Sequence, residues 1–377
     1  MPVSQDVVVL GVGGMGSAAA WQLAKRGRRV RAFEQFEPGH DRGSSHGLSR
    51  IIRLAYFEHP SYVPLLRRAF ELWREIETAS GDALLHVTGA LDIGRADSRV
   101  ITGSLHSCRL HGLRHDLLGS AEVRRRFPGY HLPDEFQAVF QPDGGFLEPE
   151  RCIRAFVAEA RRHGATIESG RAVGGWTRSG GEVILEVGGE EVRASQLVIC
   201  AGAWTPSLVP GLAPLLRAER QVVGWFGVRH APAFAPDRFP VFVMEDPDGT
   251  WYGFPEHGVP GFKIGKYHHR AEPADPDAMD RRISLEDEAV LRACVRRVFP
   301  DADGPLVRAS ACLFTNTPDE HFIVDRLPGA PEVLVVSACS GHGFKFCPVI
   351  GEIVADLVTR DETAHDIGLF RLDRFAR

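Results

Sequence analysis

The sequence predicts an α/β protein, with a doubly wound domain joined to a second domain built on a mostly antiparallel sheet. Three observations carry this. A strand, a glycine turn, a helix and a second strand open the chain; residues 79–230 mix strand-like and helical runs; and the stretch from Arg220 to about Tyr267 is rich in strands, with Pro and Gly in its turns.

Val7 to Leu10 is a short apolar run of the kind a parallel sheet buries on both faces. Gly11 to Gly16 interrupts it, Ser17 to Arg26 carries helix formers with Gly27 as the stop, and Arg29 to Glu34 reads as the next strand. From Ser61 to Ile76, the apolar positions Tyr62, Leu65, Leu66, Phe70, Leu72, Trp73 and Ile76 fit one face of a helix. A second helix is expected from Glu148 to His163, and strands at Thr166 to Glu168, Val183 to Val187 and Gln196 to Cys200. The strand-rich stretch predicts Val222 to Val228, Val241 to Glu245, Trp251 to Phe254 and Phe262 to Ile264. The chain then returns through a strand at Val333 to Val336, a glycine turn at Gly341 and Gly343, and a helix from Pro348 to Thr359. Phe370 to Arg377 reads as a surface tail. At 377 residues two intimately joined domains are expected. The expected boundaries are 1–80, 145–215 and 320–377 for the first, and 81–144 and 216–319 for the second.

Composition narrows the function. The formal charge of −5 argues against a nucleic-acid surface, and no apolar run reaches the ~18 residues of a membrane span. No secretory n-region precedes the first strand, so a cytoplasmic protein is expected. The seven cysteines form neither CxxC nor Cys/His spacing, so no metal is expected, and their odd number argues against a disulfide framework.

Gly11-Val12-Gly13-Gly14-Met15-Gly16 is a G-x-G-x-x-G placed after a strand and at the start of a helix. Gly11 permits the tight turn, Gly13 lets backbone approach a pyrophosphate, and Gly16 allows close helix-to-strand packing. The helix N-terminus adds partial positive charge. Glu34 ends the next strand, 18 residues after Gly16, where its carboxylate can accept hydrogen bonds from an adenosine ribose. This is a Rossmann-type dinucleotide fingerprint. Glu34 disfavours NADP, whereas NAD and FAD are not separated by these residues.

Two further patterns are ambiguous alone. Arg50 and Arg53, spaced i,i+3, share a face on a helical turn that Ser44 or Ser45 could cap, which suggests an anion site; pattern alone favours a solvated surface pair. Lys263 alternates with Phe262 and Ile264 in a strand, and pattern alone turns it to water.

Four blocks decide between these readings: Gly43 to Arg53 (GSSHGLSRIIR); Trp251 to Pro255 with Gly261 to Gly265; Cys312 to Phe322 (CLFTNTPDEHF); and Ser340 to Lys345 (SGHGFK). In order and approximate spacing, including the 33 residues from Cys312 to Lys345, the chain resembles the monomeric sarcosine oxidase family, with its N-methyltryptophan and pipecolate oxidase relatives, over nearly its whole length. The resemblance implies a two-domain FAD protein with a doubly wound FAD domain and an antiparallel-sheet catalytic domain. It implies that Arg53 and Lys345 grip the substrate carboxylate. Arg50 and His46 would lie by the flavin, with Arg50 favouring its anionic reduced form. Tyr252 would face the substrate. Lys263 would hold a water against the flavin and activate dioxygen. Cys312 would form a thioether to the flavin 8α-methyl carbon, which requires a lowered thiol pKa. Ser44, Ser45, Gly341, Gly343 and Phe344 would contact the cofactor, with Gly11, Gly13, Gly14, Met15, Gly16 and Glu34 holding its adenosine half. One departure stands out: Lys266 falls between Gly265 and the Tyr267-His268 pair, so whether Tyr267 or His268 enters the pocket is open; His268 is taken as the catalytic candidate.

The expected activity is oxidation of a small secondary amino acid by FAD and dioxygen, giving an imine and hydrogen peroxide, by a protein more readily monomeric than oligomeric. A cyclic imino acid or N-methyltryptophan are alternative substrates. From other classes, an NAD-dependent dehydrogenase would not need Cys312 or the Ser340 to Lys345 block, and a flavin-binding protein without turnover would need neither Lys263 nor paired carboxylate cations.

Overall fold

A computed structural model describes residues 5–376. The opening strand Gln5–Leu10 lies between two parallel neighbours, Val30–Phe33 on one side and Glu190–Ile199 on the other. Val7 to Leu10 are almost wholly buried, as expected of a strand covered on both faces. The long strand Glu190–Ile199 divides its other edge: its first half pairs antiparallel with Glu182–Val187, and its second half pairs parallel with Ala330–Ser337. Thr166–Glu168 completes the parallel run beyond Val30–Phe33. One face of this sheet is covered by helices Gly14–Lys25, Pro149–Arg162 and Cys347–Arg360, with Tyr62–Ser80 packed against them. Gly27, at φ +77°, ends the first helix in the left-handed conformation that glycine adopts freely.

The second sheet runs in the order Leu306–Asn316, Arg217–Phe226, Phe262–Lys266, Gly249–Phe254, Val241–Asp246, Ala90–Arg95, Phe136–Gln141, Asp116–Gly119. It is the expected mostly antiparallel sheet, with one parallel seam where Val241–Asp246 pairs with Ala90–Arg95. Its core side is a cluster of phenylalanines (226, 234, 239, 242, 262 and 299) under helix Leu285–Val298. Ser284 and Asp287 close that helix's N-terminus with a reciprocal capping box.

A third, three-stranded sheet joins Arg50–Ile52, Gly145–Leu147 and Leu85–Val87. It corrects the expected helical turn at Arg50 and Arg53, since Arg50 lies in a strand opposite Leu147. The i,i+3 spacing was read as helical, but pairing with a distant strand fixes the segment as extended. The chain end is also corrected. Phe370 and Leu372 are buried, Phe370 beside Tyr62 and Phe322, so the segment through Ala376 is packed rather than a surface tail, and Arg377 lies outside the described residues. Among the described residues no helix is long and apolar enough to cross a membrane.

Candidate active site

The glycine fingerprint forms the floor of a cavity of about 350 Å³, within the usual range for ligand sites. Each glycine has a distinct steric reason. A Cβ on Gly16 would lie 1.8 Å from the Gly11 carbonyl oxygen, and one on Gly14 would lie 2.8 Å from Cys347 Sγ. Gly11, at φ +85°, turns under the Cys200 carbonyl. A Cβ on Gly13 would meet nothing within 4 Å, so backbone there opens directly onto the cavity. Glu34 and Met15 line the same space, and Glu34 accepts from the Val12 and Phe36 N–H groups. Farther along, the walls are Ser44, Ser45, Arg50, Leu313 to Thr315, Gly341, Gly343 and Phe344. A long cavity with bare backbone and an acidic group at one end, and hydroxyls and a cation at the other, fits an adenine dinucleotide bearing a flavin.

A second cavity, of about 40 Å³, adjoins the first. Arg50, Phe314, Gly341 and Phe344 line both, so these four side chains and backbones form the partition. Tyr252, Phe254, Tyr267 and Val243 wall the small cavity, and Arg53 and Lys345 supply its charge. Gly265 has no side chain because the Tyr252 ring occupies that space, with its Cζ 2.5 Å from where a Cβ would stand.

The two cations are held by residues the sequence pattern did not single out. Arg53 is almost fully buried, bonds Glu58 through Nη2 at 2.8 Å, donates to the Ala55 carbonyl at 2.6 Å and lies 3.6 Å from Asp92. Burial pushes the Asp92 carboxyl up to about 6, against the pull of Arg53 and the Ser104 hydroxyl. Gln141 accepts from the Leu54 and Ala55 N–H groups and fixes the backbone beside Arg53. Lys345 donates to the His342 carbonyl at 2.7 Å. Its pKa is lowered to about 7 by burial and then by Arg53, with Glu58 and Asp92 pulling the other way. His342 bonds the Glu320 carbonyl through Nε2 at 2.9 Å, so that nitrogen donates and Nδ1 accepts from the Tyr56 hydroxyl at 2.7 Å. Burial accordingly lowers the His342 pKa to about 4.

The loop bearing His46 and Arg50 is pinned from two sides. Gly47 (φ +94°) and Leu48 (φ +70°) turn their N–H groups onto Glu150 Oε1. From below, Lys263 Nζ donates to the Gly47 carbonyl at 2.6 Å, to Ser49 Oγ at 2.9 Å and to the Ser49 carbonyl at 3.0 Å. Lys263 therefore faces inward, over the rings of Phe254 and Trp225, rather than toward water. Burial and then Arg50 lower its pKa, while three oxygen acceptors satisfy the three N–H bonds of an ammonium. Arg50 donates to the Ser44 and Ser49 carbonyls, which fixes the guanidinium in the partition. His46 is buried beneath the same loop with Nε2 unpartnered, and burial together with Arg50 lowers its pKa to about 3, so it is neutral.

Two expectations change. His268 lies outside the pocket, exposed and paired with Glu219 and Glu320, which raise its pKa to about 10. Tyr267 is the residue that enters, its hydroxyl 3.3 Å from the Gly341 carbonyl and its ring beside Tyr252 and Phe314. Lys266 ends its strand in unbroken register with Trp251, and in the turn that follows Tyr267 enters the pocket while His268, at φ +53°, is exposed. Cys312 is buried on Leu306–Asn316, and burial raises its thiol pKa although Arg50, Lys263, Arg281 and Arg220 pull it down. The lowered thiol pKa expected from the sequence is not what the surroundings produce.

Fold and site together define a dinucleotide-dependent redox protein with a small cationic and aromatic pocket beside the cofactor cavity. The FAD dependent oxidoreductase family model matches residues 6–357, and the chain belongs to that family. It is 41% identical to the monomeric sarcosine oxidase of Streptomyces avermitilis, covering 100% of this chain and 99% of that one. It is 34% identical to the N-methyl-L-tryptophan oxidase of Citrobacter koseri, with 99% of each covered. Among solved structures, NikD, an unusual amino acid oxidase essential for nikkomycin biosynthesis, superposes with a TM-score of 0.84 at 27% identity over 98% of this chain and 97% of its own. The chain is thus an FAD-dependent amino acid oxidoreductase acting on a CH–NH group, and an NAD-dependent dehydrogenase is not favoured.

Proposed function

We propose that the protein oxidises a small secondary amino acid, sarcosine-like or cyclic, with dioxygen as acceptor. One juxtaposition supports this: the buried pair Arg53 and Lys345 in a cavity of about 40 Å³ that shares the Arg50 partition with the dinucleotide cavity. A substrate carboxylate would sit between Arg53 and Lys345, each a charge-assisted donor. The aromatic walls Tyr252, Tyr267 and Phe314 would hold its carbon skeleton against the partition. The cationic lining penalises an ammonium, so the amine binds unprotonated, as removal of a hydride equivalent from its neighbouring carbon requires.

FAD, bound along the glycine floor by Gly11 to Gly16, Glu34, Ser44, Ser45 and the Gly341 to Phe344 turn, supplies the two-electron acceptor, and dioxygen takes the electron pair as hydrogen peroxide. Lys263 would place a fixed positive charge under the loop at the partition, where reduced oxygen species are anionic. The product imine hydrolyses in water, to formaldehyde and glycine when the substrate is sarcosine. Cys312 would attach the flavin covalently, against the burial that raises its thiol pKa. A monomeric, cytoplasmic protein divided at the boundaries given above completes the proposal.

Peroxide release from sarcosine, N-methyltryptophan, pipecolate and proline tests the substrate. Turnover of sarcosine, proline or pipecolate is expected, and absence of peroxide from all four amines would refute the reading. Acid-precipitated protein should stay yellow, and Cys312→Ala should abolish that; colourless denatured protein would exclude the thioether alone.

A further inference from the structure

The geometry points to a transition-metal site of the zinc type at His86, Glu148 and His257, outside both cavities. The three residues come from separate segments. His86 lies in strand Leu85–Val87, Glu148 immediately precedes helix Pro149–Arg162, and His257 lies in the loop between strands Gly249–Phe254 and Phe262–Lys266. Nε2 of His86 is 2.7 Å and Nε2 of His257 3.3 Å from Glu148 Oε1, and one ligand atom from each residue lies within 4.8 Å of the others. Tetrahedral zinc with bonds of ~2.0–2.1 Å sets its ligand atoms about 3.3 Å apart, so shifts of a few tenths of an ångström to about one ångström would complete three corners.

The arrangement is held in place. Phe146, fully buried, lies against both imidazoles, with centroids 4.8 Å from His86 and 4.7 Å from His257. The side chains are half-buried, so an ion can reach them from water. Two imidazoles and one carboxylate select zinc(II), or its neighbours copper and nickel, over the hard cations magnesium and calcium. Arg151 opposes an ion, because its Nη1 sits 3.0 Å from the same Glu148 oxygen; its other nitrogen pairs with Asp82 at 2.9 Å, which offers the guanidinium another place.

The ion would clip two active-site supports together. Glu148 follows strand Gly145–Leu147, whose Leu147 pairs with Arg50, and stands two residues before Glu150, which holds the Gly47 and Leu48 N–H groups. His257 belongs to the loop leading into the strand that carries Lys263. No spacing motif announces this cluster, since its members lie far apart in sequence.

Titration of flavin-loaded protein with Zn²⁺ in metal-free buffer, by calorimetry and thermal unfolding, tests the site. One equivalent should bind, with a rise in Tm that Mg²⁺ does not give. His86→Gln and His257→Gln should each weaken Zn²⁺ at least about tenfold and remove the Tm rise, while flavin content and metal-free turnover stay at the unsubstituted level. Arg151→Gln should tighten Zn²⁺ several-fold. Zn²⁺ affinity unchanged from the unsubstituted protein in either histidine variant, or no one-equivalent binding, would overturn the proposal.

Discussion

In the long cavity Gly11, Gly13 and Gly16 act by what they lack, whereas in the small one Arg53, Glu58, Asp92 and Lys345 act by bringing four ionisable groups out of water. The first region is backbone geometry, set within one strand–turn–helix unit. The second is a charge network gathered from a strand end, a loop, a distant strand and a short helical turn. Steric requirements of the first kind are absolute and local. Those of the second depend on partners, because a buried charge is tolerated only with its counter-ion and hydrogen bonds in place.

The sharpest way to break the contrast is Gly16→Ala. With the Gly11 carbonyl 1.8 Å from the new methyl, the first helix must leave its strand, and the purified protein should hold almost no flavin. A normal flavin-to-protein ratio would show that the backbone can yield. Next comes Lys263→Met, which removes the oriented charge beneath the partition. Reoxidation of the reduced enzyme should slow about 10²–10³-fold, the scale of losing an oxyanion-hole donor, while reduction by substrate proceeds nearly unchanged. Stopped-flow measurement of the two half-reactions decides it, and normal reoxidation would leave Lys263 as a loop support only.

Lys345→Met probes the charge region without stranding Glu58 and Asp92 as Arg53 substitutions would. Losing a hydrogen bond to a charged group costs about 1.5–3 kcal/mol, so methylthioacetate should bind roughly 10- to 150-fold more weakly. Unchanged affinity would remove Lys345 from the carboxylate site. The same residue gives the region a pH signature. With its pKa lowered to about 7, Lys345 is charged below that pH and neutral above it, and a bound carboxylate favours the charged form. Affinity for methylthioacetate should therefore fall as pH rises through 7 and beyond, approaching tenfold per unit, and the slope should flatten in Lys345→Met. The smallest effect is expected at His268→Ala. An exposed ion pair contributes ~0–1 kcal/mol, so kcat/KM should stay within about fivefold, whereas Tyr267→Phe should alter it more; the reverse ranking would return His268 to the pocket.

The same contrast explains what could be read in advance. The strand, turn and helix around Gly11 to Gly16 were legible because their causes are local, and the four motif blocks supplied most pocket residues. Arg50 was misread as helical because its conformation is set by pairing with Leu147, nearly a hundred residues away. Glu58, Asp92, Gln141 and Glu150 carried no signal, being single polar residues whose meaning comes only from what the fold brings beside them. Tyr267 and His268 could not be separated until the exit of their strand was known.

The partition of Arg50, Phe314, Gly341 and Phe344 has a consequence for how such a protein diversifies. Val243 and Tyr267 touch the small cavity but not the long one, so they can be exchanged with less effect on the redox chamber than the partition residues, although Tyr267 leans on Gly341 and Phe314. Substrate size is thus an independently adjustable variable, inherited on the far wall, while the shared wall stays under double constraint. Laboratory selection for bulkier amines should accordingly accumulate changes at positions 243 and 267 and leave the partition untouched.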